Sequence, residues 1–170
     1  MNQHIHRVVV LMGSNISPVD NLRQAYLQLR NQCTVKAVSN VWENAAFGSP
    51  GPNFMNAAIL IETTLSNNEL KSRILHPIED MLGRVRTADK NAPRTIDLDI
   101  IISDDQVCDP NLWSRLHSAL PVSELLADWV NPQNGEALAD IARSLKAAYW
   151  ALEHPEVLGR SITDQEKRAP

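Results

Sequence analysis

What the sequence lacks narrows its function before any motif is read. It has only two cysteines, Cys33 and Cys108, in 170 residues. Two widely separated thiols make no disulfide framework, so a reducing compartment is the expected setting. Its longest apolar runs, such as Val8–Met12 and Ala57–Ile61, fall far short of a membrane span. The opening residues carry His4 and His6 and lack the apolar centre of a signal peptide. A cytoplasmic protein with no membrane partner is therefore expected. Positive charge is not in excess either: 16 Lys and Arg against 20 Asp and Glu leave a formal charge of −4. That argues against a general binder of nucleic acid or of anionic lipid. The two common phosphate loops, G-x-x-x-x-G-K-[ST] and G-x-G-x-x-G, are both missing. Any anion site must come from a local cluster of side chains.

What is present is a chain of one-domain size with 44% hydrophobic residues. Val8–Met12 is a mostly β-branched run ended by Gly13, which predicts a buried strand. Ser17-Pro18-Val19-Asp20 predicts a helix start, with Ser17 as cap and Pro18 in the first helical position. Leu22, Tyr26 and Leu29 follow at helical spacing. Thr34–Trp42 suggests a second strand, and Gly48, Pro50, Gly51 and Pro52 mark the loop after it. Phe54–Thr64 suggests a third strand. Ser66 and Glu69 form a capping box and Leu65 can staple to Leu70, so a second helix is expected along Leu70, Ile74, Ile78 and Met81. Pro77 is placed to bend it and Gly83 to end it. Thr95–Ser103 completes four strands.

The order β-α-β-β-α-β predicts an α+β, ferredoxin-like sandwich: an antiparallel sheet with helices on one face. An irregular stretch follows, then a turn at Asn131–Gly135 and a C-terminal helical extension through about Ala151. Ala147, Trp150 and Ala151 are candidates for its apolar stripe. Residues 1–154 are expected to form one domain and 155–170 a mobile tail.

The fourth strand carries the chemistry. Alternation puts Ile96, Leu98, Ile100 and Ile102 on one face and Asp97 and Asp99 on the other. Two like charges there repel one another, and a divalent cation such as Mg2+ would relieve the repulsion. A solvated acidic face would give the same string. Between positions 84 and 94 stand Arg84, Arg86, Lys90 and Arg94 against one acid, Asp89. Cations beside paired carboxylates suit a nucleoside triphosphate, whereas the loop alone reads more readily as a solvated surface. Gly13-Ser14-Asn15, between a strand and a helix, could let a ligand approach the backbone. The five histidines, His4, His6, His76, His117 and His154, show no metal-ligand spacing.

These segments together resemble the 6-hydroxymethyl-7,8-dihydropterin pyrophosphokinases. Leu11-Met12-Gly13-Ser14-Asn15 is similar to that family's opening strand, and Phe54-Met55-Asn56-Ala57 to its aromatic-x-Asn-Ala segment. Glu79 with Leu82-Gly83-Arg84-Val85-Arg86 resembles its helix end and first arginines. Pro93-Arg94-Thr95-Ile96-Asp97-Leu98-Asp99-Ile100 resembles its most diagnostic string. The resemblance implies transfer of pyrophosphate from ATP to the hydroxymethyl group of a reduced pterin, releasing AMP, in folate synthesis. It implies that Asp97 and Asp99 hold two Mg2+ ions and that Arg84 and Arg94 act with them in catalysis. Glu79, Arg86, Lys90 and Arg115 would serve the nucleotide. Gly13, Asn44, Phe54 and Asn56 would serve the pterin, and His117 falls near a second stacking position.

Departures from the pattern are also present. Asn44 stands where a threonine is common, Asn91 for a tryptophan and Ala92 for a glycine, and the Pro-His pair expected before Arg115 is missing. A non-catalytic relative that binds pterin or nucleotide is the alternative these changes raise. A ferredoxin-like nucleic-acid binder ranks below both, given the negative charge. Monomer and homodimer both stay open.

Overall fold

The strand Val8–Met12 is apolar at every position, so it must be covered on both faces, and that requirement organises the fold. The computed structural model describes residues 4–48, 50–89 and 92–159. Strand β1 (His6–Ser14) lies at the centre of the sheet. It is flanked by β4 (Phe54–Thr63) and β5 (Asp97–Ser103), antiparallel to both. With β2 (Thr34–Val38), β3 (Val41–Asn44), β6 (Gln106–Val107) and β7 (Ala151–His154), the sheet runs β6-β5-β1-β4-β3-β7, and β2 also pairs with β4. The α+β class, the antiparallel sheet and the ferredoxin-like order of the first four strands are as expected.

Helices cover both faces rather than one. Val8, Val10 and Met12 pack against α1 (Pro18–Gln32) and against α2 (Asn67–Leu70) and α3 (His76–Met81). Val9 and Leu11 pack against α4 (Leu116–Leu125) and α5 (Leu138–Ala148). Helix α4 lies in the stretch expected to be irregular. Its buried residues run consecutively from Ser118 to Val122 and include Pro121, so no 3.6-residue stripe marks it. A 3-10 turn at Pro110–Trp113 precedes it.

Other elements differ for local reasons. The second strand breaks at Ser39 and Asn40 into β2 and β3, which pair with different halves of β4. The Ser39 hydroxyl accepts the Ala58 N–H in the gap at 2.9 Å. A further register shift between Val35 and Ala37 leaves Lys36 on a bulge in β2. Ser17 does not cap α1: its φ of 43° is left-handed and its side chain makes no cap bond. The Ser66–Glu69 capping box is present as expected. Between α2 and α3 the helix widens into a π turn at Lys71–Leu75, with the His76 N–H bonded to the Lys71 carbonyl. Pro77 lacks an N–H and its ring presses on the preceding turn, which the wider turn accommodates.

Ile102 leaves the face expected for it. A bulge at Val9/Val10 inserts Ile101, and both Ile101 and Ile102 join the α4–α5 side. The C-terminal helix stops at Ala148, where Tyr149 turns extended, and Ala151 opens β7 against β3. Ala147 and Trp150 are exposed, so they form no packing stripe. The tail expected from Pro155 is corrected too: Val157 and Leu158 are buried in the core. Arg23 Nε donates to the Val157 carbonyl at 2.8 Å. Residues 160–170 lie outside the described residues. No helix among the described residues is long and apolar enough to cross a membrane.

Candidate active site

Sheet register assembles the site. Asp97 on β5 faces Gly13 on β1, Gly13 faces Asn56 on β4, and Asn56 faces Trp42 on β3. Asp99 faces Leu11 one pleat along, and Phe54 faces Asn44. All these side chains point to the α4 side of the sheet, at the end that α4 leaves uncovered. A Cβ on Gly13 would stand 2.9 Å from the Asn56 Oδ1, so only glycine allows Asn56 to lie across β1 here. Asn56 Nδ2 donates to Asn44 Oδ1 at 2.8 Å, and Asn44 Nδ2 to the Ala45 carbonyl at 2.8 Å. Both asparagines are buried. They line a cavity of about 150 Å³ with Phe47, Phe54, Arg94, Arg115 and His117.

Beside it stands a network of arginines and carboxylates. Asp97 accepts from Arg84 Nη1 at 2.9 Å through Oδ1 and from Arg94 Nη1 at 2.5 Å through Oδ2. Arg84 also donates to the Ile96 carbonyl at 2.7 Å. Glu79 is 4% exposed, and its two oxygens do different jobs. Oε1 accepts the Leu98 backbone N–H at 2.9 Å, and Oε2 pairs with Arg86 Nη2 at 2.5 Å. Arg86 reaches Asp80 as well, at 3.0 Å. Burial pushes the Glu79 carboxyl up, opposed by the Leu98 N–H and the neighbouring arginines. Glu79 therefore anchors the start of β5, a role beyond the nucleotide contact expected of it.

Asp99 is different. Its side chain reaches solvent, yet desolvation by the cleft walls, then the charges of Asp97, Glu79 and Asp109, push its carboxyl up to about 6. Asp97 is neutralised by two guanidiniums, while the repulsion at Asp99 is opposed only by the Lys71 charge. Arg84, Arg86 and Arg94 line a second cavity of about 270 Å³ with Val85, Thr87, Asp89 and Ala92. Arg94 lines both cavities, with its guanidinium 5.8 Å from the centre of the Phe54 ring.

The structure thus brings the expected residues into two adjoining groups: Gly13, Asn44, Phe54 and Asn56 in one, Glu79, Arg84, Arg86, Arg94, Asp97 and Asp99 in the other. Arg115 joins the first group instead of the basic loop. Its guanidinium lies over the Phe47 ring at 3.9 Å. Lys90 lies outside the described residues. His117 follows Arg115 into α4, and burial, then the Arg115 charge, hold its imidazole below the ordinary value and favour the neutral ring.

Sequence reasoning missed the work of Ser14 and Asn15. Ser14 Oγ donates to the Thr95 carbonyl at 2.5 Å. Asn15 Oδ1 accepts the Arg94 N–H at 2.7 Å, and Asn15 N donates back to the Arg94 carbonyl at 3.1 Å. Both residues are buried and pin the segment that carries Arg94. The available signal was the pair of small polar residues directly after Gly13 at a strand end. Phe47 was also missed; an exposed loop aromatic carries no periodicity to mark it.

Comparison with known proteins agrees with this architecture. The model of the 7,8-dihydro-6-hydroxymethylpterin-pyrophosphokinase family matches residues 9–127. A 2-amino-4-hydroxy-6-hydroxymethyldihydropteridine pyrophosphokinase from Synechocystis sp. is 32% identical over 180 aligned positions, covering 99% of this chain and 91% of that protein. The enzyme of the same description from Helicobacter pylori is 38% identical over 101 positions, covering 56% of this chain and 61% of its own. Among solved structures, wild-type HPPK-DHPS of Plasmodium falciparum with pteroate superposes with a TM-score of 0.68 at 8% identity. That match covers 86% of this chain and 45% of the other, so the chain spans about half of that protein, and the likeness is one of fold. The chain belongs to the 7,8-dihydro-6-hydroxymethylpterin-pyrophosphokinase family, ATP-using pyrophosphokinases of folate biosynthesis.

Proposed function

We propose that this chain moves the terminal two phosphates of ATP onto the hydroxymethyl group of 6-hydroxymethyl-7,8-dihydropterin through the residues named above. The observation that carries the reading is the placement of Asp97 and Asp99 on one sheet face, beside a small ring-sized cavity and an arginine-lined one that share Arg94. The donor set suits magnesium, which takes carboxylate, phosphate and water oxygens. The desolvation and like-charge repulsion at Asp99 are what a cation would relieve. Asp97 and Asp99 would hold two Mg2+ ions, which when bound neutralise charge on the nucleotide phosphates.

The chain's own residues then bind and orient. Phe54 and the neutral His117 enclose the pterin ring by stacking. The Asn44 and Asn56 amides recognise its polar edge, and Gly13 permits the close approach. Arg84 and Arg94, held by Asp97 in this structure, are placed to turn toward the transferring phosphates. Arg86 and Arg115 supply further positive charge at the two ends of the cleft. The pterin hydroxyl oxygen attacks the β-phosphorus. The bond from that phosphorus to the oxygen bridging it to the α-phosphorus breaks, AMP leaves, and the hydroxyl proton passes to solvent. Catalysis rests on positioning and electrostatics, with no enzyme nucleophile.

AMP formation from ATP, Mg2+ and the hydroxymethyl pterin, with a pterin-free control, tests the reading. Pterin-dependent AMP is expected. Folded protein that yields none would overturn it in favour of a non-catalytic binder.

A further inference from the structure

A second constellation of ligand-type side chains lies at the opposite end of the sheet. Strand β5 runs from Asp97 to Ser103, so its far end is about 20 Å from the candidate active site at ~3.3 Å per residue. There His4, His6 and Asp104 each bring one ligand atom within 4.8 Å of the others. His6 Nδ1 lies 2.5 Å from Asp104 Oδ2, and His4 Nε2 lies 3.6 Å from the same oxygen. The two imidazoles meet edge-on, with ring centres 4.5 Å apart and planes at 79°.

The carboxylate is held in place by the backbone rather than by the histidines alone. Asp104 Oδ1 accepts the Arg7 N–H at 3.0 Å, and the Asp104 N–H donates to the Arg7 carbonyl at 2.9 Å. Asp104 and Asp105 both adopt left-handed φ, 45° and 65°, in the tight turn from β5 to β6. That turn folds Asp104 back over the entry to β1, leaving Oδ2 for the imidazoles. A simple ion pair needs one imidazole. Two protonated imidazoles at this separation would repel, whereas two neutral rings and a carboxylate converging on one point form a ligand set.

We propose that His4, His6 and Asp104 bind a divalent transition-metal ion such as zinc, with water in the remaining positions. Imidazole nitrogens select that class of ion over magnesium, which the all-oxygen pair Asp97 and Asp99 suits. The ion ties the start of β1 to the β5–β6 turn. It stabilises the folded chain by an amount that grows with the logarithm of the free ion concentration. Histidine spacing alone hid the site, because Asp104 is 98 residues from His6 in sequence.

The test is zinc binding to the full chain, by competition with a chromogenic chelator in excess Mg2+, with the Co2+ absorption spectrum as a second readout. One zinc ion per chain is expected. His4→Ala and Asp104→Asn should each weaken it by at least about tenfold. Asparagine tolerates left-handed φ and can still accept the Arg7 N–H, so Asp104→Asn keeps the turn. The double variant Asp97→Asn, Asp99→Asn should bind zinc as the parent does. Equal zinc affinity in the parent and Asp104→Asn, or loss of the zinc with the double variant, would overturn the site.

Discussion

The arginine–carboxylate corner and the ring-sized cavity are neighbours built by different means. The corner draws its residues from one stretch, Glu79 to Asp99, where a helix end, a basic loop and a strand start lie close in sequence. It is held by charge-assisted contacts, Asp97 to Arg84 and Arg94, Glu79 to Arg86 and the Leu98 N–H. The cavity draws on β3 and the loop after it, β4 and the start of α4, with Arg94 and Arg115 at its walls, and its buried polar frame is the neutral bond between Asn44 and Asn56. Local, charged construction marks itself in the sequence and resists change of shape. Non-local, neutral construction hides in the sequence and depends on close packing.

That contrast can be broken at its charged end first. Asp97→Ala or Asp99→Ala should lower turnover by at least about 10²–10³-fold while the circular dichroism spectrum stays native. Full activity in either variant would remove the paired carboxylates from the mechanism. At the neutral end, Asn56→Ala removes an amide that meets the pterin edge and should raise the KM for the pterin by roughly 10- to 100-fold, on the ~1–3 kcal/mol cost of leaving a buried polar group of the bound pterin unpaired. Gly13→Ala should act in the same direction, since its Cβ would displace Asn56. An unchanged KM in both would mean that the pterin binds elsewhere.

Two smaller effects separate folding from chemistry. Glu79→Ala strands the buried Leu98 N–H and should cost about 1–3 kcal/mol of stability in denaturant titrations. A variant as stable as the parent would show that the anchor is dispensable. Asp99→Asn should do the reverse. The folded Asp99 carboxyl titrates near 6 against an ordinary 3.8, so the folded protein binds the proton more tightly than the unfolded chain. Its contribution to stability is greatest below about pH 4 and is lost as pH rises through about 6. The metal-free Asn variant should therefore melt higher than the parent at pH 8. Discounted for solvent screening, the gain is less than ~1 kcal/mol, or a few degrees, and it should vanish below about pH 4. Identical melting curves at pH 8 would mean that no repulsion is stored there.

What was legible follows the same division. Alternation along Ile96–Ile100 placed both aspartates on one face, and the run from Arg84 to Arg94 marked the anion side. The Ser66–Glu69 box and the strand order followed from local rules. Contacts between distant segments did not announce themselves. The bulge at Val9/Val10 moved Ile102 to the other face, which no reading of β5 alone could supply. Helix α4 was hidden because its apolar residues form no single stripe and it holds Pro121. Arg115 was assigned by motif position, yet tertiary packing set it on Phe47. Val157 and Leu158 looked like tail because two apolar residues make no pattern; the core gap beside α1 gives them their place.

The way the sheet ends has a consequence for life at high concentration. Open strand margins invite sideways growth of one sheet onto another, the first step toward insoluble aggregates. Here the outermost strands are only two residues long in β6 and four in β7. The third open margin, β2, carries its irregularity at Lys36, which places a charged, bent backbone where a second molecule would have to dock. Replacing Lys36 with valine would remove the lysine charge from that margin and should lower solubility, with little effect on turnover.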